Sequence, residues 1–89
     1  MSVKVNLHPY LTTEGTEAEV DLEGKTVGEC LKGLVARFPA MHSKLFAKSE
    51  KLHGYIEVLV NAKTTFPKEL AYPLKDGDEV TILVFLSGG

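Results

Sequence analysis

The chain has 89 residues, 44% hydrophobic and 25% charged, with 10 basic and 12 acidic side chains giving a formal charge of −2. That length predicts one domain folded on one core, with little room for a self-contained catalytic cleft. Charges of both signs are spread without runs, so no basic stripe marks a nucleic-acid face. The start, MSVKVNLHPY, alternates where an export signal would be basic and then continuously apolar. No apolar run approaches the ~18 residues of a membrane span, and the lone Cys30 cannot form an internal disulfide, so a reducing cytoplasm is expected, without a membrane partner.

Val3, Val5 and Leu7 alternate with Lys4, Asn6 and His8, the period of a strand with one buried face, until Pro9 removes a ladder donor. Residues 12–16, centred on Glu14 and Gly15, are predicted to connect a hairpin whose second strand carries Ala18, Val20 and Leu22 inward. After a turn at residues 23–25, Thr26 and Glu29 have capping-box spacing. They predict a helix over residues 27–38, with Val27, Leu31, Leu34, Val35 and Phe38 on one stripe and Pro39 as its stop. Met41, Leu45 and Phe46 suggest a short second helical turn, and residues 48–54 a polar loop.

Ile56, Val58 and Val60 alternate with Glu57, Leu59 and Asn61 as a third strand, which turns back at residues 61–63 into an irregular stretch over 64–74. The turn KDGD, residues 75–78, launches a last strand over 79–86 that is almost wholly apolar from Val80 on. Continuous apolarity predicts a central strand with one face on the helix and the other covered by a partner. The order strand, strand, helix, strand, strand is α+β, a mixed sheet packed on one main helix.

The helix TVGECLKGLVARFP, the strand IEVLVN, the turn LKDGDEV and the terminal SGG, in this order, resemble the ubiquitin-like β-grasp sulfur carriers of the MoaD/ThiS family. The helix running into Phe38 and Pro39, followed by a second short turn, is most similar to the small subunit of molybdopterin synthase. Many relatives carry glycine after the asparagine of the third-strand turn, where this chain has Ala62. The resemblance implies a mixed four- to five-stranded sheet with the first and last strands adjacent and parallel, in one domain over residues 1–89 with a flexible tail over 86–89. It also implies a carrier rather than a stand-alone catalyst. Gly89 would be adenylated by an E1-like partner that uses ATP and converted to a thiocarboxylate, with Gly88, Ser87 and Leu86 forming the tail the partner binds and Ser87 a polar adapter between strand and diglycine.

The sulfur would then pass to the molybdopterin synthase large subunit or to another accepting enzyme, in the molybdopterin, thiamine or amino-acid pathway. In a modifier version the same terminus would form an amide with a lysine. Strand alternation places Leu59, Leu83 and Phe85 on the sheet face away from the helix, as a candidate partner surface. His8, His42 and His53 lack ligand spacing, so neither a metal nor a permanently bound cofactor is expected, and Cys30 reads as a small buried hydrophobe.

Overall fold

A computed structural model describes residues 2–12 and 17–85. The hairpin connection and the tail from Leu86 to Gly89 lie outside the described residues. Five strands form one sheet: β1 (Val3–Leu7), β2 (Glu19–Leu22), β3 (Ile56–Val60), β4 (Lys63–Thr64) and β5 (Glu79–Val84). Across the sheet they run β2-β1-β5-β3-β4, with β1 and β5 parallel and the other neighbours antiparallel. This is the mixed β-grasp arrangement expected, with the first and last strands paired at its centre.

Helix α1 (Val27–Arg37) covers one face of this sheet. Val27, Cys30, Leu31 and Leu34 are buried, and they join a core made with Val3, Val5, Val58, Val80 and Ile82. Every one of the latter occupies the inward phase of its strand, so the period of two read in the sequence is the period of burial. Thr26 caps the helix by accepting from the Glu29 amide at 3.2 Å. The reciprocal arm is displaced by one residue, since the Glu29 carboxylate accepts from the Lys25 amide at 3.1 Å, and the helix entry is further held by the Val27 amide on the Tyr72 carbonyl at 2.9 Å. At the other end Phe38 leaves helical geometry because the following Pro39 disfavours the α region for the residue before it.

Several boundaries differ from the sequence reading. Ala18 is exposed and precedes the strand, which begins at Glu19. The last strand ends at Val84, although the Phe85 amide still donates to the Tyr55 carbonyl at 2.7 Å. The 64–74 stretch is more ordered than expected: β4 begins just before it, and a 3-10 turn spans Glu69–Ala71. Short helix α2 (Met41–Leu45) buries Met41 and Leu45, and the loop after it is tied back by His53 Nε2 to the Ser43 carbonyl at 3.0 Å.

The turn between β3 and β4 places Asn61 at φ 52° and Ala62 at φ 69°. Two successive positive φ angles are what a two-residue turn of the primed type requires. Asparagine tolerates this region, and Ala62 accepts the strain that a glycine would avoid.

The two glycines of α1 are not equivalent. A methyl group on Gly28 would sit 2.9 Å from the Leu70 carbonyl oxygen, whereas one on Gly33 would meet its nearest atom, Leu22 Cδ2, at 3.9 Å. Gly33→Ala is therefore expected to stabilise the domain by roughly 0.5–1 kcal/mol through helix propensity. Gly28→Ala is expected to destabilise it by about 1–3 kcal/mol, because backbone must move to relieve the overlap. Urea midpoints of the two variants check the opposite signs.

Candidate functional site

The face of the sheet away from α1 is open, and the registers order its side chains. In one row across the strands stand Glu19, Asn6, Thr81, Leu59 and Thr64. A second row holds Asp21, Lys4 and Glu79. A third pairs Leu83 with Glu57, beside His8, whose amide donates to the Ile82 carbonyl at 3.0 Å. Phe85, 60% exposed, lies beyond Leu83 at the end of the central strand.

Leu59 and Leu83 are both half-buried and occupy diagonal positions on adjacent strands, about 7–8 Å apart by sheet geometry. The structure thus brings Leu59, Leu83 and Phe85 onto one face, as the alternation predicted. An open apolar centre on β5 explains why that strand reads as continuously hydrophobic: its inward residues fill the core, and Leu83 and Phe85 remain at the surface. The tail residues Leu86, Ser87, Gly88 and Gly89 follow Phe85 in the chain and are outside the described residues.

The polar side chains around this centre are held in place. Asn6 Nδ2 donates to Glu79 Oε2 at 3.0 Å, and Thr64 Oγ1 donates to Glu57 Oε1 at 2.5 Å. Lys4 Nζ lies 4.0 Å from Glu19 Oε2. At the far end of β5, Asn61 bridges the strands by donating to Asp78 Oδ1 and accepting from the Glu79 amide, both at 3.0 Å. The Asn61 hydrogen bond, aided by the Lys75 amide and its charge, holds the Asp78 carboxyl below the usual carboxylate range.

Phe66 was not singled out in the sequence, yet it is 69% exposed at the β3 edge. Its position was illegible because it falls in an irregular stretch with no period to phase it. With Glu57 it borders an open groove of about 650 Å³ between residues 51–54 and 66–71.

The other candidate groups sit apart from this face or are already engaged. Cys30 is buried in the core, and desolvation pushes its thiol up to about 11, which suppresses the nucleophilic thiolate. His8 Nδ1 accepts from the Tyr10 amide at 3.0 Å, His42 Nε2 lies 3.1 Å from Glu50 Oε2, and His53 stacks on Tyr55 with ring centroids 4.8 Å apart. His8 follows β1 while His42 and His53 both lie about α2, and among the described residues no cluster of histidine, cysteine and carboxylate groups is assembled for a metal. Nor is any described helix long and apolar enough to cross a membrane. What the described surface offers is an open sheet face with an apolar centre, at the end of which the chain's last residues begin.

Comparison with known proteins bears on the same conclusion. The chain is 32% identical over 92 residues to the sulfur carrier protein CysO of Mycobacterium tuberculosis, covering 100% of this chain and 96% of that one. It is 35% identical over 71 residues to small archaeal modifier protein 1 of Haloferax volcanii, 79% of this chain and 78% of that one. The crystal structure of that modifier superposes with a TM-score of 0.87 over the full length of both chains, at 28% identity. A chain in the crystal structure of the Amycolatopsis orientalis BexX/CysO complex superposes with a TM-score of 0.84 at 36% identity, covering 98% of this chain and 99% of that one. The ThiS family model matches residues 3–89, and the chain belongs to the ThiS family of ubiquitin-like β-grasp sulfur carriers.

Proposed function

We propose that the protein carries sulfur as a thiocarboxylate on Gly89 and docks on its partners through the face centred on Leu59, Leu83 and Phe85. The observation that carries this reading is the placement of half-buried Leu59 and Leu83 and exposed Phe85 on one open sheet face, ending at Phe85, four residues before the terminal glycine. A partner that covers this face has the last residues of the chain within its reach, because four extended residues span at most about 14 Å.

The chemistry follows from the carboxylate. A carboxylate is a poor electrophile, so an adenylating partner of the E1 type first joins the Gly89 carboxylate to the α-phosphate of ATP and releases pyrophosphate. Hydrosulfide then attacks the acyl carbon, forming the carbon–sulfur bond as the bond to AMP breaks. A persulfide donor gives an acyl disulfide instead, which a thiol reduces to the same thiocarboxylate. The carrier's part is to present the acyl group: Gly88 and Gly89 lack side chains that would widen the portion entering a narrow channel, and Ser87 and Leu86 link that portion to the strand. ATP is bound by the partner, and the carrier holds no cofactor of its own.

Identity to a protein named as a sulfur carrier over nearly the whole chain supports this reading. Similarity to a named modifier supports a second use of the same terminus, an amide formed with a lysine. Delivery to a molybdopterin precursor, put first by the continuation of α1 into Phe38, Pro39 and α2, is one recipient among several; a thiamine or amino-acid pathway uses the same thiocarboxylate.

Incubated with its adenylating partner, ATP and a sulfide donor, the protein is expected to gain the mass of sulfur replacing oxygen on its C-terminal peptide. Adding the molybdopterin synthase large subunit with its precursor should reverse that gain if molybdopterin is the destination. An unchanged C-terminal peptide in the first incubation would leave the domain as a plain interaction module.

A further inference from the structure

We infer that the docking face selects an activating partner whose contact surface has an apolar centre ringed by lysine and arginine. This inference rests on the carrier reading and adds the chemistry of the partner. Among the described strand residues, the outward positions carry four carboxylates, Glu19, Asp21, Glu57 and Glu79, against the one ammonium of Lys4. That is a formal −3 on one face of a chain whose total is −2, so the rest of the molecule is slightly basic. The acidity is a property of this face rather than of the protein.

The placement of the charges is as informative as their number. Glu57 stands beside Leu83, and Glu79 two residues before Thr81 on the same strand, so both border the apolar centre. Their hydrogen bonds to Thr64 and Asn6 restrain the carboxylates without neutralising them. A partially covered rim in a medium of reduced dielectric makes such charges effective in steering an oppositely charged surface. The same arrangement argues against a second copy of this chain as the occupant, since a two-fold pairing would set −3 against −3 across the contact.

Isosteric neutralisation tests the point, because glutamine keeps the size and an acceptor for each hydrogen bond. The paired variant Glu57→Gln with Glu79→Gln is compared with Glu29→Gln plus Glu50→Gln, which changes the net charge equally but lies on the helix side of the molecule. Carrier-dependent ATP–pyrophosphate exchange is measured with the adenylating enzyme of the same organism. The rim pair is expected to raise the carrier KM about three- to tenfold at low salt with kcat retained, and the difference should shrink as salt is raised toward ~0.5 M. The control pair should stay near the wild-type value.

Equal KM values for the two pairs, or a rim effect indifferent to salt, would overturn the inference while the exchange itself upheld the carrier reading. Absence of exchange with the wild-type chain would remove the carrier reading and this inference with it. A concentration-dependent dimer abolished by Phe85→Asp would instead assign the face to a second copy and overturn the charge argument.

Discussion

Deleting Gly89, or adding one residue after it, is expected to reduce sulfur loading by more than about 100-fold while leaving thermal unfolding unchanged. Each residue of extended chain is worth about 3.3–3.6 Å of reach, and misplacing a reacting group by about 1 Å can already cost 10²-fold. Deletion withdraws the carboxylate from the site where it is adenylated; extension moves it beyond that site and leaves an unreactive amide at Gly89. Neither change touches the core, whose nearest strand residue to the terminus is Val84. Gly88→Val should bind the partner yet react poorly, since a β-branched side chain both widens and stiffens the segment. The readout is the mass of the C-terminal peptide after incubation with partner, ATP and sulfide. Full loading of an extended chain that is not trimmed back to Gly89 would show that the carboxylate of Gly89 is not the carrier.

The second large effect concerns docking. Phe85→Asp is expected to weaken association with the adenylating partner by roughly 30-fold or more, equivalent to about 2 kcal/mol. The substitution removes an aromatic side chain from the centre of the contact and requires a carboxylate to be desolvated there. Because Phe85 is 60% exposed and lies past the last strand residue, the folded state should lose less than about 0.5 kcal/mol. Leu59→Asp should act in the same direction, with a somewhat larger cost to folding because Leu59 is half-buried within β3 and paired on both sides. Titration calorimetry against the partner and denaturant unfolding of the free variants separate the two effects. Wild-type affinity in both variants would move the docking surface elsewhere, with Phe66 and its groove as the next exposed apolar feature.

Much of this fold was legible because its elements have local causes. The alternation of Val3, Val5 and Leu7, and of Ile56, Val58 and Val60, is the pleat of a strand with one face buried. Thr26 and Pro39 bracket α1 by local backbone chemistry, whatever the helix later packs against. Where local causes were weak, the reading stopped short. Lys63 and Thr64 form a strand only because β3 lies beside them, and the 3-10 turn at Glu69–Ala71 has no apolar period to announce it.

The candidate site divides in the same way. Phase alone put Leu59, Leu83 and Phe85 on one side of their strands, since a side chain's face is settled by counting residues. Which strands are neighbours is a matter of long-range pairing, and the central position of β5 between β1 and β3 is what converts three separated residues into one surface. The acidic rim needed that pairing most. Glu19 and Asp21 reach the face through β2, Glu57 through β3 and Glu79 through β5, from segments up to sixty residues apart. In the linear sequence Glu57 and Glu79 are interspersed with Lys51, Lys63 and Lys75, far from the acidic stretch that holds Glu19 and Asp21; hydrogen-bonded registers gather all four on one side of the sheet. The sequence by itself determined the strands, the helix and which side chains share a phase, because these follow from neighbours along the chain. Only the tertiary structure decided which phases meet and where the charge collects, because backbone pairing between distant segments has no local signature.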